Sequence, residues 1–222
     1  MFFTKEEIKA RWAKKRAPTR RKAAQKAGFA LALEIANNAL FDVKTRDGEA
    51  YILHPLAVAF NNTNSISKHT IGVLHDVVED SDWTLEDLRE VGFSDRIIQG
   101  VDAVTKRSGE LYFDFIERCG QAEEDGIDIK LKDLDHNSKA NRNPSAMPTA
   151  KQSLKQRIYN VSYYYLVGIK TETINPGTPM LDFLLSHQAY AADPISSNEL
   201  LEKGSSDARR LPTPESPHIT TN

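Results

Sequence analysis

Leu74-His75-Asp76-Val77-Val78-Glu79-Asp80 places four ionisable side chains within six residues and frames them with aliphatic ones. Read as one helix from Ile71 to Asp80, the stretch pairs His75 with Glu79 and Asp76 with Asp80. Residues four apart share a helix face. The aliphatic frame implies burial, and an isolated buried carboxylate is costly unless it is paired or binds a cation. Imidazole and carboxylate together suit a divalent ion such as Mn, Fe, Zn or Mg. Taken alone, the segment equally suits an amphipathic helix that exposes Glu79 and Asp80 and keeps His75 as an ordinary satisfied residue.

A second segment repeats the pattern. Ile129-Lys130-Leu131-Lys132-Asp133-Leu134-Asp135-His136-Asn137 sets Asp133 three residues after Lys130 and four before Asn137, so the three can border one pocket. A surface acid among lysines is the competing reading. Ile127 to Leu131 alternates and also fits a strand.

The rest of the chain reads as helix. Thr4 with Glu6 and Glu7 marks a helix start, and Pro18 its end. Phe29 to Leu40 is apolar without Gly or Pro, and Pro55 sits near the start of another helix. Thr84 with Asp87 forms a near capping box. Short apolar helices follow at Asp95–Val104 and Leu111–Cys119, then a tyrosine-rich one at Ser153–Ile169. Thr45 to Glu49 and Asn141 to Pro148 carry turn chemistry. The fold class is all-α, a helical bundle with a flexible C-terminal tail. Residues 1–26 form a basic N-terminal helical segment and 27–189 the domain. Residues 190–222, rich in Ser, Pro and charge, are expected to be disordered.

Composition excludes several classes. No apolar run approaches the roughly 20 residues that span a bilayer, and the N-terminus lacks a secretory signal. A single cysteine, Cys119, rules out an internal disulfide framework and fits a reducing compartment, so a cytoplasmic location is expected. The net charge of −2 hides ten Lys or Arg against two Glu in residues 1–26, leaving about −10 on the remainder. That basic run suits either a solvated helix face or contact with nucleic acid or a polyphosphate. Nothing in the chain fixes an oligomeric state.

The two acidic segments together resemble the HD superfamily, and the resemblance extends to (p)ppGpp hydrolases. It is closest to the small hydrolase-only type, which is similar to the hydrolase domain of bifunctional RelA/SpoT proteins. Four blocks carry it in order over residues 29–142: Gly48-Glu49-Ala50-Tyr51-Ile52-Leu53-His54-Pro55, the His75-Asp76 segment, Val104-Thr105-Lys106, and Lys130-Leu131-Lys132-Asp133-Leu134-Asp135-His136-Asn137. The resemblance implies an HD-domain helical bundle whose His75, Asp76 and Asp133 hold a divalent metal, usually Mn2+. It implies that Glu79 and Asp80 orient or activate the attacking water. Asn137 would face the nucleotide, while Lys155 with Tyr159, and Lys44 with Arg46, would meet substrate phosphates. A solvated loop for Lys44 and Arg46, and core packing for Tyr159, stay open beside these roles. The resemblance also implies a metal-binding histidine 14 residues before His54. That position is Leu40, with Asn38 and Asp42 nearby, so a site of three protein ligands completed by water, or one of reduced activity, is expected.

The implied reaction removes the 3′-pyrophosphate of guanosine tetra- or pentaphosphate, giving GDP or GTP. Two alternatives stand beside it: hydrolysis of another nucleotide, and a catalytically impaired protein that binds an alarmone or a partner.

Overall fold

Side-chain caps set where a few of the helices begin. In the computed structural model, which describes residues 2–15, 21–43, 50–61, 64–140, 150–186 and 199–200, the helices are α1 (Lys5–Lys15), α2 (Arg21–Ala39), α3 (Leu53–Phe60), α4 (Ile66–Leu74), α5 (Val77–Asp80), α6 (Leu85–Val91), α7 (Asp95–Val104), α8 (Tyr112–Gly120), α9 (Glu124–Ala140), α10 (Ala150–Lys170) and α11 (Met180–Ser186). Glu7 N–H donates to Thr4 Oγ1 at 3.2 Å, and Glu7 Oε2 accepts from Thr4 N–H at 2.8 Å, closing the box that starts α1. Thr84 and Asp87 close the same box at α6, which ends on Gly92 at φ 102°. The fold is all-α: every regular element among the described residues is helical, apart from an isolated bridge residue at Ala50.

The run Ile127 to Leu131, whose alternation fitted a strand, is helical within α9. Its two apolar faces explain the pattern. Ile129 joins a core built from α1 to α7 that includes Ile35, Val58, Ile71, Leu74 and Val101. Ile127 and Leu134 join a second core that includes Phe113, Phe115, Tyr165, Leu166 and Phe183 from α8, α10 and α11. A helix wedged between two cores needs apolar residues on both sides, so its periodicity blurs. The same wedge carries Lys130 and Asp133 into the interior, where both are buried. Sequence reading missed α11, whose seven residues are too few for a convincing period.

The first helix belongs to the first core. Ile8 is 1% exposed and packed there, and Lys5 reaches Asp87 at 3.1 Å. Lys9 also pairs with Asp87, and Trp12 Nε1 donates to Glu34 Oε2 at 2.9 Å. The domain boundary expected after residue 26 falls inside α2. Residues 16–20, with Pro18, lie outside the described residues, as do the loop signal at 141–148 and almost all of the tail expected from 190; Leu200 is described and buried.

α3 and α4 meet at Gly72, where an added Cβ would lie 2.7 Å from Ala59 Cα and 3.0 Å from Ala59 N. The obstacle is backbone, which cannot swing away like a flexible side chain. Gly72→Ala is therefore expected to destabilise the fold by about 1–3 kcal/mol, the usual cost of overpacking. Urea unfolding checks this: a midpoint equal to wild type would show that the two helices are not held at this separation.

Candidate metal and phosphohydrolase site

Three elements deliver the site. His54 lies in the first turn of α3, His75 follows α4, Asp76 precedes α5, and Asp133 sits in mid-α9. The continuous helix expected from Ile71 to Asp80 is broken between His75 and Asp76. Asp76 takes φ −97° and ψ −7°, in the sparsely populated bridge region where active-site residues often sit. His75 Nδ1 bonds the Gly72 carbonyl at 2.8 Å, the acceptor that the Asp76 N–H of an unbroken helix would use. Helix then resumes as Asp80 N–H donates to Asp76 O at 2.9 Å. The single helix expected from Ile71 to Asp80 is corrected accordingly: the dyad occupies a turn between two helices, while the Asp80–Asp76 bond leaves those two acids one helical turn apart.

The turn aims the dyad at its partners. His75 Nε2 lies 3.2 Å from His54 Nε2, 3.1 Å from Asp76 Oδ2 and 3.7 Å from Asp133 Oδ1. His54 Nε2 lies 3.4 Å from Asp76 Oδ2 and 3.2 Å from Asp133 Oδ1. Ligand atoms about 2.1 Å from a shared divalent ion sit roughly 3.0–3.5 Å apart, so the donor set fits such an ion. His54, His75 and Asp76 alone bring three potential ligand atoms within 4.8 Å of one another.

Supporting bonds orient each donor. Tyr51 Oη donates to Asp76 Oδ2 at 2.6 Å. Burial and the Asp76 charge push the Tyr51 hydroxyl far above its ordinary titration range, so it remains a donor. Asp133 accepts from Lys130 Nζ at 2.8 Å through Oδ2 and from Asn137 Nδ2 at 2.5 Å through Oδ1. Lys130 Nζ in turn lies 4.6 Å from the Phe115 ring centroid. His136 Nδ1 meets His54 Nδ1 at 2.8 Å. Such outer bonds fix imidazole and carboxylate orientation in metal sites.

The electrostatics follow from burial of opposite charges. Burial opposes ionisation of Asp133, but Lys130, His54 and His75 outweigh it and hold the carboxyl well below its usual range. Burial likewise disfavours charge on His75, yet Asp76 and Asp133 raise its pKa well above 6.5. Glu79 and Asp80 run the other way. Partial burial of its carboxyl end raises Glu79 against the opposing Lys106 N–H and Lys130. Burial together with the Asp76 charge raises Asp80. Glu79 Oε1 accepts from the Lys106 backbone N–H at 2.6 Å, which joins the Val104-Thr105-Lys106 block to the site.

His75, Asp76, Asp133 and Asn137 thus come together, with Glu79 and Asp80 on the helix leading away. Lys155 and Tyr159 lie on α10, the Lys155 ammonium 5.2 Å from the Tyr159 ring centroid. Among the described residues neither is bonded to the His–Asp set, and Tyr159, 9% exposed, packs in the second core. Lys44 and Arg46 lie outside the described residues.

Position 40 supplies no ligand atom. Leu40 is 1% exposed in the first core, Asn38 Oδ1 accepts from Phe3 N–H at 2.8 Å, and Asp42 is exposed. His54 stands with His75 and Asp76 instead, so Leu40 does not deprive the set of a histidine. Sequence reading quoted His54 and Tyr51 within a block but gave them no role. Their three-residue spacing just before Pro55, which a turn closes with His54 N–H on Tyr51 O at 2.9 Å, was the available signal.

No family model matches the chain. It is 40% identical over 78 residues, 34% of this chain and 11% of the relative, to the guanosine-3′,5′-bis(diphosphate) 3′-pyrophosphohydrolase of Aquifex aeolicus. It is 41% identical over 78 residues, 34% of this chain and 10% of the relative, to a probable GTP pyrophosphokinase of Mycobacterium leprae. The matches thus span about a tenth of these curated relatives' length. A solved structure, described as a metazoan ortholog of SpoT that hydrolyses ppGpp, aligns with TM-score 0.55 and 20% identity, covering 74% of this chain and 97% of that one. The chain is thus similar in sequence to these relatives over about a third of its length, and similar in fold to the solved structure. The solved structure establishes the helical architecture, and the local identity of the curated relatives is the part that bears on residues. No helix among the described residues is long and apolar enough to cross a membrane.

A protonated His75 competes with a cation for Nε2. Raising the pH removes that competition, so divalent-metal affinity is expected to climb with pH from the acid side through neutrality, with protons released on binding. Titration calorimetry with Mn2+ in buffers of differing ionisation enthalpy checks both. An observed heat independent of buffer would show that His75 enters the complex already neutral, or stays out of it.

Proposed function

We propose that this protein is a metal-dependent phosphohydrolase that removes the 3′-pyrophosphate of (p)ppGpp, leaving GDP or GTP and pyrophosphate. The observation that carries the reading is the convergence of His54, His75, Asp76 and Asp133 beside the raised carboxyls of Glu79 and Asp80. The likeness to the Aquifex pyrophosphohydrolase supports the choice of substrate.

His54, His75, Asp76 and Asp133 would hold the cation, for which Mn2+ is the proposed identity. When bound, it lowers the pKa of a coordinated water and offsets charge on a phosphoryl oxygen. Glu79 takes the proton of the attacking water, because a carboxylate raised towards neutrality is a better base at working pH than an ordinary one. Asp80 acts beside it to orient that water. Asn137 is held at Asp133 and faces the nucleotide, while Lys155 and Tyr159, with Lys44 and Arg46, oppose the phosphates. The two lysines and the arginine matter because the chain outside its first 26 residues is acidic and would otherwise repel a polyanion.

Purified protein with Mn2+ and ppGpp is expected to release pyrophosphate. Glu79→Gln is expected to lower kcat by about 10²–10⁴-fold, the usual contribution of a positioned base, while bound metal per chain stays unchanged. A nucleotide panel read separately for phosphate and pyrophosphate tests the substrate class. Absence of pyrophosphate at high enzyme concentration sinks the reading, and turnover of deoxynucleotides alone transfers it to another substrate.

A further inference from the structure

One arginine holds the segment that follows α7. Arg118, on α8, donates from Nε to Glu110 Oε1 at 2.7 Å and from Nη2 to Glu110 Oε2 at 2.9 Å. Its Nη1 donates to the Asp102 carbonyl at 3.0 Å, and Nη2 donates to the Thr105 carbonyl at 2.8 Å. Glu110 Oε2 also accepts from Arg107 N–H at 2.8 Å. The guanidinium lies 5.3 Å from the Phe115 ring centroid. The Arg118 and Glu110 side chains retain 21% and 13% exposure, so this clamp is shielded from solvent on most sides.

The Thr105 carbonyl and the Lys106 N–H belong to the same peptide group. A peptide group is planar, and its C=O and N–H point in opposite directions. Arg118 grips the oxygen side, and Glu79 Oε1 accepts from the nitrogen side at 2.6 Å. A cation on the carbonyl both fixes the plane and polarises the N–H towards its acceptor. Thr105 adds a second restraint, since its Oγ1 donates to Val101 O at 2.8 Å. Glu79 Oε1 is thereby fixed, and rotation of the carboxylate is restricted.

We propose that Arg118 is a positioning residue for the hydrolysis: through the 105–106 peptide it orients the Glu79 carboxylate towards the water attacking the phosphoryl group. The proposal rests on the phosphohydrolase reading for its kinetic consequence, and on the peptide geometry alone for its structural one. A lysine at 118 keeps the charge but cannot reproduce the fork that bonds Glu110 and two carbonyls together.

The test compares Mn2+-loaded full-length wild type with Arg118→Gln, Arg118→Lys and Glu79→Gln. Amide hydrogen exchange at Lys106 is expected to accelerate in Arg118→Gln, while amides in α4 and mid-α9 keep wild-type rates. With ppGpp, kcat is expected to fall about 10–100-fold, the range for loss of a bond that orients a site residue, with KM within about twofold and metal content unchanged. Arg118→Lys is expected to recover part of the loss. Adding Arg118→Gln to Glu79→Gln is expected to cost little more, because both changes disable one carboxylate. Unchanged kcat in a folded Arg118→Gln protein, or a full additional loss in the double variant, overturns the proposal. Exchange that accelerates throughout the chain assigns Arg118 a purely structural part and overturns it equally; if Arg118→Gln does not fold, Arg118→Lys is judged by the same criteria. Should wild type hydrolyse no nucleotide, the phosphohydrolase reading fails by itself. Lys106 exchange then decides the remaining claim, and an unchanged rate in the variants ends it.

Discussion

Asp133 is a carboxylate buried where two hydrophobic cores meet, and its burial constrains everything around it. An isolated ionised carboxylate in such a place would cost several kcal/mol or shift to its neutral form. Lys130 one turn earlier and Asn137 one turn later both bond it, so α9 itself supplies much of the compensation. The Phe115 ring beneath Lys130 keeps that ammonium inside the protein. With these groups satisfied, the second lone-pair side of Asp133 is presented to His54 and His75. The acid is therefore fixed before any cation arrives.

The remaining donors are fixed by how closely α3 and α4 approach. With no side chain at Gly72 the α3 backbone at Ala59 can come into contact, which brings His54 to 3.2 Å from His75. The Gly72 carbonyl, on the same residue, takes the His75 imidazole. Position 72 thus sets the spacing of two helices and supplies the carbonyl that takes His75 Nδ1–H, which leaves Nε2 as the nitrogen turned to the cluster. The local cost is a helix broken at Asp76, and a departure from regular helix geometry is more often found at functional positions than elsewhere.

Much of this was legible in the residues. Periodicity and caps gave the helices on either side of the site, since Thr84 with Asp87 and the apolar run at Asp95–Val104 are local signals. The grouping of His75 with Asp76, and of Lys130 with Asp133 and Asn137, was readable because helix spacing alone brings such residues near. What could not be read is what depends on tertiary contact. The strand-like alternation at Ile127 to Leu131 reflects two cores on opposite sides of one helix. Leu40 carried an expected ligand position in sequence register, whereas the available histidine, His54, comes from the following helix. The break at His75 leaves no composition signal, since neither Gly nor Pro stands in the 73–80 stretch. Bonds such as Lys106 N–H to Glu79 and Tyr51 to Asp76 join residues more than twenty apart, beyond any local rule.

A cation held by His54, His75, Asp76 and Asp133 would tie together α3, the α4–α5 turn and α9, adding to the apolar contacts and to polar bonds such as His54–His136 and Lys68–Asp128 that already join these helices. Because the unfolded chain offers no such preformed set, binding free energy appears as folding stability, growing as RT ln(1 + [L]/Kd) with free metal. The four carboxylates of the cluster divide the work by environment. Asp76 and Asp133 are kept ionised by His75 and Lys130, the state in which a carboxylate is a ligand. Glu79 and Asp80, whose partial burial is not outweighed by the cations near them, are pushed upward, the state in which a carboxylate can exchange a proton. One acidic cluster thereby yields two chemical roles, and the element that separates them is the single turn between His75 and Val77.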